Sequence, residues 1–100
     1  MQTKIYSEHG PTGSTLKIEI GAAHHLAFDR KAMAGIILAL NTPHRVHMIT
    51  TLDRRLFKII FAASSLWLTV SGTGVLRVSD IDALQSECLL CLQAPVQVAS

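Results

Sequence analysis

From Ile59 to Leu76 the chain runs eighteen residues without a charge, and Arg54, Arg55 and Lys58 stand just before that run. A run of about 18 apolar residues is the shortest that spans a bilayer as a helix. This one, however, contains Ser64, Ser65, Thr69, Ser71, Gly72, Thr73 and Gly74. Ser71 to Gly74 is turn chemistry, because glycine and small hydroxyl residues allow the chain to reverse. A break there leaves an unbroken stretch of only twelve residues, Ile59 to Val70. The run is therefore expected to be two strands, Leu66 to Val70 and Val75 to Val78, joined by a glycine-bearing connection.

The beginning of the chain points the same way. Leu16, Ile18 and Ile20 alternate with Lys17 and Glu19, the period of a strand with one buried face. Thr3 to Glu8 is the expected partner strand, and His9 to Ser14, with Gly10, Pro11 and Gly13, is expected to form a projecting loop. Residues from about His24 to Leu40 are expected to be helical, with Leu26, Met33, Ile37 and Leu40 on one stripe and Arg30 and Lys31 opposite. Ala32 to Leu40 is apolar almost all round. That half should be buried on more than one side, against the sheet or at a subunit interface. Asn41, Thr42 and Pro43 should end the helix, since the residue before proline is pushed out of helical geometry.

The middle of the chain has two readings. Arg45 to Leu52 and Leu56 to Ala62 fit strands joined by Asp53-Arg54-Arg55. Equally, Thr50 or Thr51 could cap a helix with Leu52, Leu56, Ile59, Ile60 and Ala63 on one face. The Phe- and Ile-rich composition favours strands. A last helix from Asp80 to about Leu92 is expected, with Ser79 as its N-cap and Asp80 and Asp82 at the positive end of its dipole. Ala94-Pro95 should stop it and leave Val96 to Ser100 as a tail. The expected architecture is a single α+β domain over residues 1–100, in the order ββαββββα. An N-terminal hairpin and a C-terminal meander form an antiparallel sheet, with two helices on one face.

Charged residues make up only 16% of the chain and apolar residues 49%, where a typical domain is about 25% charged. Surface left uncovered by charge is expected to be buried against another chain, so a protein partner or a second copy, as a homodimer, is anticipated. The net charge of +2 is too weak to demand nucleic acid. Met1 to Glu8 lacks the basic and apolar regions of a secretory signal, and two cysteines are too few for a secreted disulfide scaffold. A soluble protein of cytoplasmic type, without membrane association, follows as the expectation.

Candidate chemistry is sparse. Cys88 and Cys91 have Cys-x-x-Cys spacing, but they fall in the second half of the last helix, away from the N-terminus that would stabilise a thiolate. They share a stripe with Ile81 and Leu84, so packing is the expected role. His44 and His47 could supply two more ligands for zinc, a small zinc-binding domain being one alternative. Gly72-Thr73-Gly74 lacks the further glycine or lysine of a phosphate loop. There is no Gly-x-Ser-x-Gly elbow and no carboxylate pair. An enzyme is not expected, and no catalytic residue, cofactor or metal is assigned.

The remaining expectation is a small non-catalytic interaction module that occludes or bridges a macromolecular partner. An accessory or inhibitor protein carried by a phage or mobile element would fit that description. If Leu66 and Leu68 face the helices, Trp67 faces outward, where a large aromatic is more often an interface anchor than chance exposure; the other reading is a strand buried on both sides. Arg45, Arg54, Arg55 and Lys58 would form the polar rim. The same basic edge could bind nucleic acid by neutralising phosphates, the second alternative.

Overall fold

The computed structural model describes residues 2–11, 13–70 and 74–93. The sequence alternation of Leu16, Ile18 and Ile20 is realised in a three-stranded antiparallel sheet of β1 (Thr3–Gly10), β2 (Gly13–Ile20) and β3 (His24–Phe28), in that order. The helix α1 (Arg30–Asn41) follows. A second, four-stranded sheet runs in sequence order as β4 (His47–Thr50), β5 (Leu56–Ala62), β6 (Ser65–Val70) and β7 (Gly74–Val78). The helix α2 (Ile81–Gln93) closes the described chain. The α+β class and the all-antiparallel pairing hold, as does the strand reading of the middle segment.

Three local expectations need correction. His24 to Phe28 is a strand and not the first turns of the helix, because Leu26 and Phe28 pair with Ile18 and Leu16 and bury beside them. The helix starts where Asp29, in extended geometry, accepts the Ala32 N–H at 2.9 Å. The first hairpin does not project as a long loop: its strands run on to the Gly10–Gly13 pair, and His9 Nδ1 lies 2.7 Å from Ser14 Oγ across the ladder. At α2 the carboxylate of Asp80 accepts the Ala83 N–H at 3.2 Å, so Asp80 caps that helix in place of Ser79. The Ser71-Gly72-Thr73 connection, the Ala94-Pro95 stop and the tail lie outside the described residues.

One core joins the two sheets. Leu16, Ile18, Leu26 and Phe28 of the first sheet and Phe57, Ile59, Leu66, Leu68 and Val78 of the second are buried with Met33 and Ile36 of α1 and Leu84 and Cys88 of α2. The two helices pack on each other, α2 also against β1 and β2, and α1 mainly against β4 and β5. Close approach of α1 to β4 depends on Gly35, where a Cβ would stand 2.7 Å from Ile49 Cγ2.

The loop between β4 and β5 ties the sheets together. Thr51 N–H donates to the Arg55 carbonyl at 2.9 Å and Arg54 N–H to the Thr51 carbonyl at 3.0 Å, with Arg54 at φ 65°. That is a three-residue hairpin loop ending in a left-handed residue. The buried Thr51 hydroxyl accepts the Arg55 N–H at 3.0 Å and donates to Asp53. Leu52 N–H reaches the Ala27 carbonyl at 2.9 Å, and the Arg55 guanidinium reaches the His25 carbonyl at 3.1 Å. Both are carbonyls on β3, so the outer edge of the first sheet is held by the loop of the second.

Candidate docking face

Alternation along β4 to β7 divides the second sheet into two faces. The inner face carries Ile49, Phe57, Ile59, Leu66, Leu68 and Val78, all buried. Among the described residues no helix covers the outer face. Register fixes its rows: Met48, Lys58, Thr69 and Val75 stand side by side across the four strands, and Ile60, Trp67 and Arg77 form the next row. Thr50 and Leu56 stand opposite each other on the other side of the Met48–Lys58 pair. Met48, Leu56 and Val75 are each more than half exposed, and Trp67 and Ile60 are half-buried.

Trp67 therefore points outward between the buried Leu66 and Leu68, as the alternation requires. Its indole N–H donates to the Ala62 carbonyl at 2.9 Å, and the Arg77 guanidinium lies 5.5 Å from the ring centroid. Arg77 Nε also donates to Ser65 Oγ at 2.9 Å. These contacts fix the ring in place while it stays only half-buried. A pre-ordered aromatic loses little side-chain entropy on binding, which is what an anchor needs.

The four basic residues singled out in the sequence do not gather. Lys58 shares the outer face with Trp67, one strand away and one row removed. Arg55 turns to the other side: its Nε lies 2.9 Å from Asp53 Oδ2, and its guanidinium covers the Phe57 ring at 5.7 Å. With its bond to the His25 carbonyl, Arg55 is a strap between sheets. Arg54 occupies the left-handed position of the loop and Arg45 the connection after α1, both exposed. Arg77, which sequence reasoning passed over as a strand residue, joins Trp67 on the outer face. Its signal was there in the parity it shares with Val75.

The thiols and histidines stay apart from this face. Cys88 and Cys91 are buried in the core, and desolvation raises both thiols, Cys88 to about 12. At that value Cys88 is a neutral packing group and not a nucleophile. His47 Nε2 lies 2.7 Å from Thr42 Oγ1, and His44 adopts φ 67° with its N–H on the Phe61 carbonyl. Among the described residues no three His, Cys, Asp or Glu side chains gather to hold a metal.

A second feature lies on the outer face of the first sheet. There Tyr6, Lys17, Glu19 and His25 line an open cleft of about 360 Å³ beside Leu52 and Asp53. Tyr6 donates its hydroxyl to Glu19 at 2.5 Å, and His25 Nδ1 lies 3.8 Å from the same carboxylate. The hydrogen bond to Glu19 raises the Tyr6 phenol, so it stays protonated and committed to its partner. This is a surface network whose polar groups satisfy one another.

No protein-family model, no curated protein and no solved structure matches the chain. Among the described residues no helix is long and apolar enough to cross a membrane.

Proposed function

We propose that the chain is a small non-catalytic interaction module whose working surface is the outer face of β4 to β7. The observation that supports this reading best is the row structure of that face. Met48, Leu56, Ile60, Trp67 and Val75 bring apolar area to one side of a sheet whose other side already holds the core. An uncovered face with a fixed central aromatic is the composition of an interface centre. A module of this kind acts by covering a partner's surface or by bridging two partners.

Nucleic acid is the weaker reading of the same face. Base stacking calls for a series of free aromatic rings, whereas Trp67 is the one aromatic side chain here and Arg77 lies over it. Arg45, Arg54 and Lys58 are spread over a loop, a turn and a strand.

Affinity capture from the source cell with matched variants tests the proposal. Met48→Glu with Val75→Glu places negative charge on the face without touching the core. Leu38→Glu with Leu90→Glu does the same on the exposed sides of the helices. The face variant should lose the captured protein by about tenfold or more while the helix variant keeps it. Equal retention by both variants would refute the assignment of the surface.

A further inference from the structure

We infer that the partner of this face is an acidic protein segment, one that sets carboxylates against Lys58 and Arg77 and apolar side chains against Trp67, Ile60 and Met48. The inference rests on the docking reading above and adds the chemistry of the occupant.

The strands β4 to β7 contain no Asp or Glu at all. The seven carboxylates of the chain are Glu8, Glu19, Asp29, Asp53, Asp80, Asp82 and Glu87, on the first sheet, in loops and on α2. Among the described residues the charged side chains of the outer face, Lys58 and Arg77, are both cations. Lys58 stands in the middle strands of its row, flanked by Met48 and Thr69 and two residues from both Leu56 and Ile60. The ion pairs among the described residues join Lys17 to Glu8, His25 to Glu19 and Arg55 to Asp53. Lys58 has no such partner among the described residues.

An ammonium covered by an apolar surface loses its hydration with nothing in return, so an occupant of this face must bring negative charge to it. A second copy of the chain fails that condition. Two identical faces packed together would bring four cations and no strand carboxylate into one interface. A polyphosphate brings charge but leaves Met48, Leu56, Ile60 and Val75 without apolar contacts. An acidic amphipathic segment meets both requirements. Three strand spacings of about 4.8 Å set β4 and β7 about 14 Å apart. A helix of about 12 residues, about 18 Å long, crosses that distance.

Trp67 is the only tryptophan in the chain and stands on the face, so its emission reports occupancy directly. The full chain is titrated with three probes. One is an amphipathic helical peptide of about 14 residues, four turns, with Glu on its polar side and Leu and Phe on its apolar side. The second has Lys in place of Glu, and the third is a short oligothymidylate. The acidic peptide should shift Trp67 emission and bind about tenfold more tightly than the basic one. Lys58→Glu should weaken the acidic peptide roughly fivefold, with Lys58→Gln in between and the unfolding midpoint unchanged. Equal binding of both peptides, unaffected by Lys58→Glu, would overturn the acidic partner and leave the docking face standing. Silence of Trp67 towards both peptides would overturn the face as well. Tighter binding of the oligothymidylate than of either peptide would replace the acidic protein by nucleic acid.

Discussion

Gly35 and Ile49 meet where α1 crosses β4, and opposing effects can be weighed at that contact. Alanine in place of glycine in a helix interior favours the fold by about 1 kcal/mol. The added Cβ would stand 2.7 Å from Ile49 Cγ2, inside any normal carbon contact, and the methyl is held in the core. Overpacking costs roughly 1–3 kcal/mol. The clash wins: Gly35→Ala should lower stability by about 1 kcal/mol in denaturant titration, and Ile49→Ala should remove most of that difference in a double-mutant cycle. Cys88 makes a second residue-scale prediction. Its ordinary value lies at 9.0 and burial moves it to about 12 in the folded chain. The unfolded chain therefore releases this proton first. The stability it protects is complete below pH 9 and declines as pH rises towards 12. Cys88→Ala, although less stable at neutral pH because of the lost sulfur, should show a shallower alkaline decline in thermal melts. In the native protein at neutral pH, alkylation of this thiol should wait on unfolding.

Turns and caps govern the elements, and here the sequence and structure part company most instructively. The β5–β6 hairpin closes at Ala62–Ser65 with Ala63 at φ 52° and Ser64 at φ 60°. Both sit in the left-handed region that hairpins use and that side chains with a Cβ resist by about 1–2 kcal/mol each. Ala-Ser carries none of the Asn-Gly signature, so this turn was invisible to a search for turn residues. The paired strands and the Trp67 indole on the Ala62 carbonyl hold it. Ala63→Asn with Ser64→Gly should therefore stabilise the protein by about 1 kcal/mol, read as a higher midpoint in urea. β3 escaped the sequence for a different reason. Leu26 and Met33 are one helical stripe on paper, and only the pairing of Phe28 with Leu16 decides for a strand. β2, β6 and β7 were legible because their alternation is local. So was α2, whose stripe of Ile81, Leu84, Cys88 and Cys91 lies against the core.

At the scale of the whole molecule, two sheets share one core. The first satisfies its outer face with its own polar network, whereas the second leaves an apolar and cationic face open. Parity set Trp67 opposite Leu66 and Leu68, but only the fold shows that the side it faces is open. The basic rim was not legible, because Arg55 answers to the His25 carbonyl thirty residues away, a contact that only the folded chain creates. The low charge content is the ground for expecting a covered surface, and our proposal puts that surface on the outer face of β4 to β7. Lysine footprinting of the complex isolated from the source cell tests this most directly. Lys58 lies on that face, Lys4 and Lys17 on the first sheet, and Lys31 on α1. Protection of Lys58 from acetylation in the complex, with Lys4, Lys17 and Lys31 as reactive as in the free chain, is the predicted result. Full reactivity of Lys58 alongside protection of Lys4, Lys17 or Lys31 would contradict the account and move the interface to another side of the molecule.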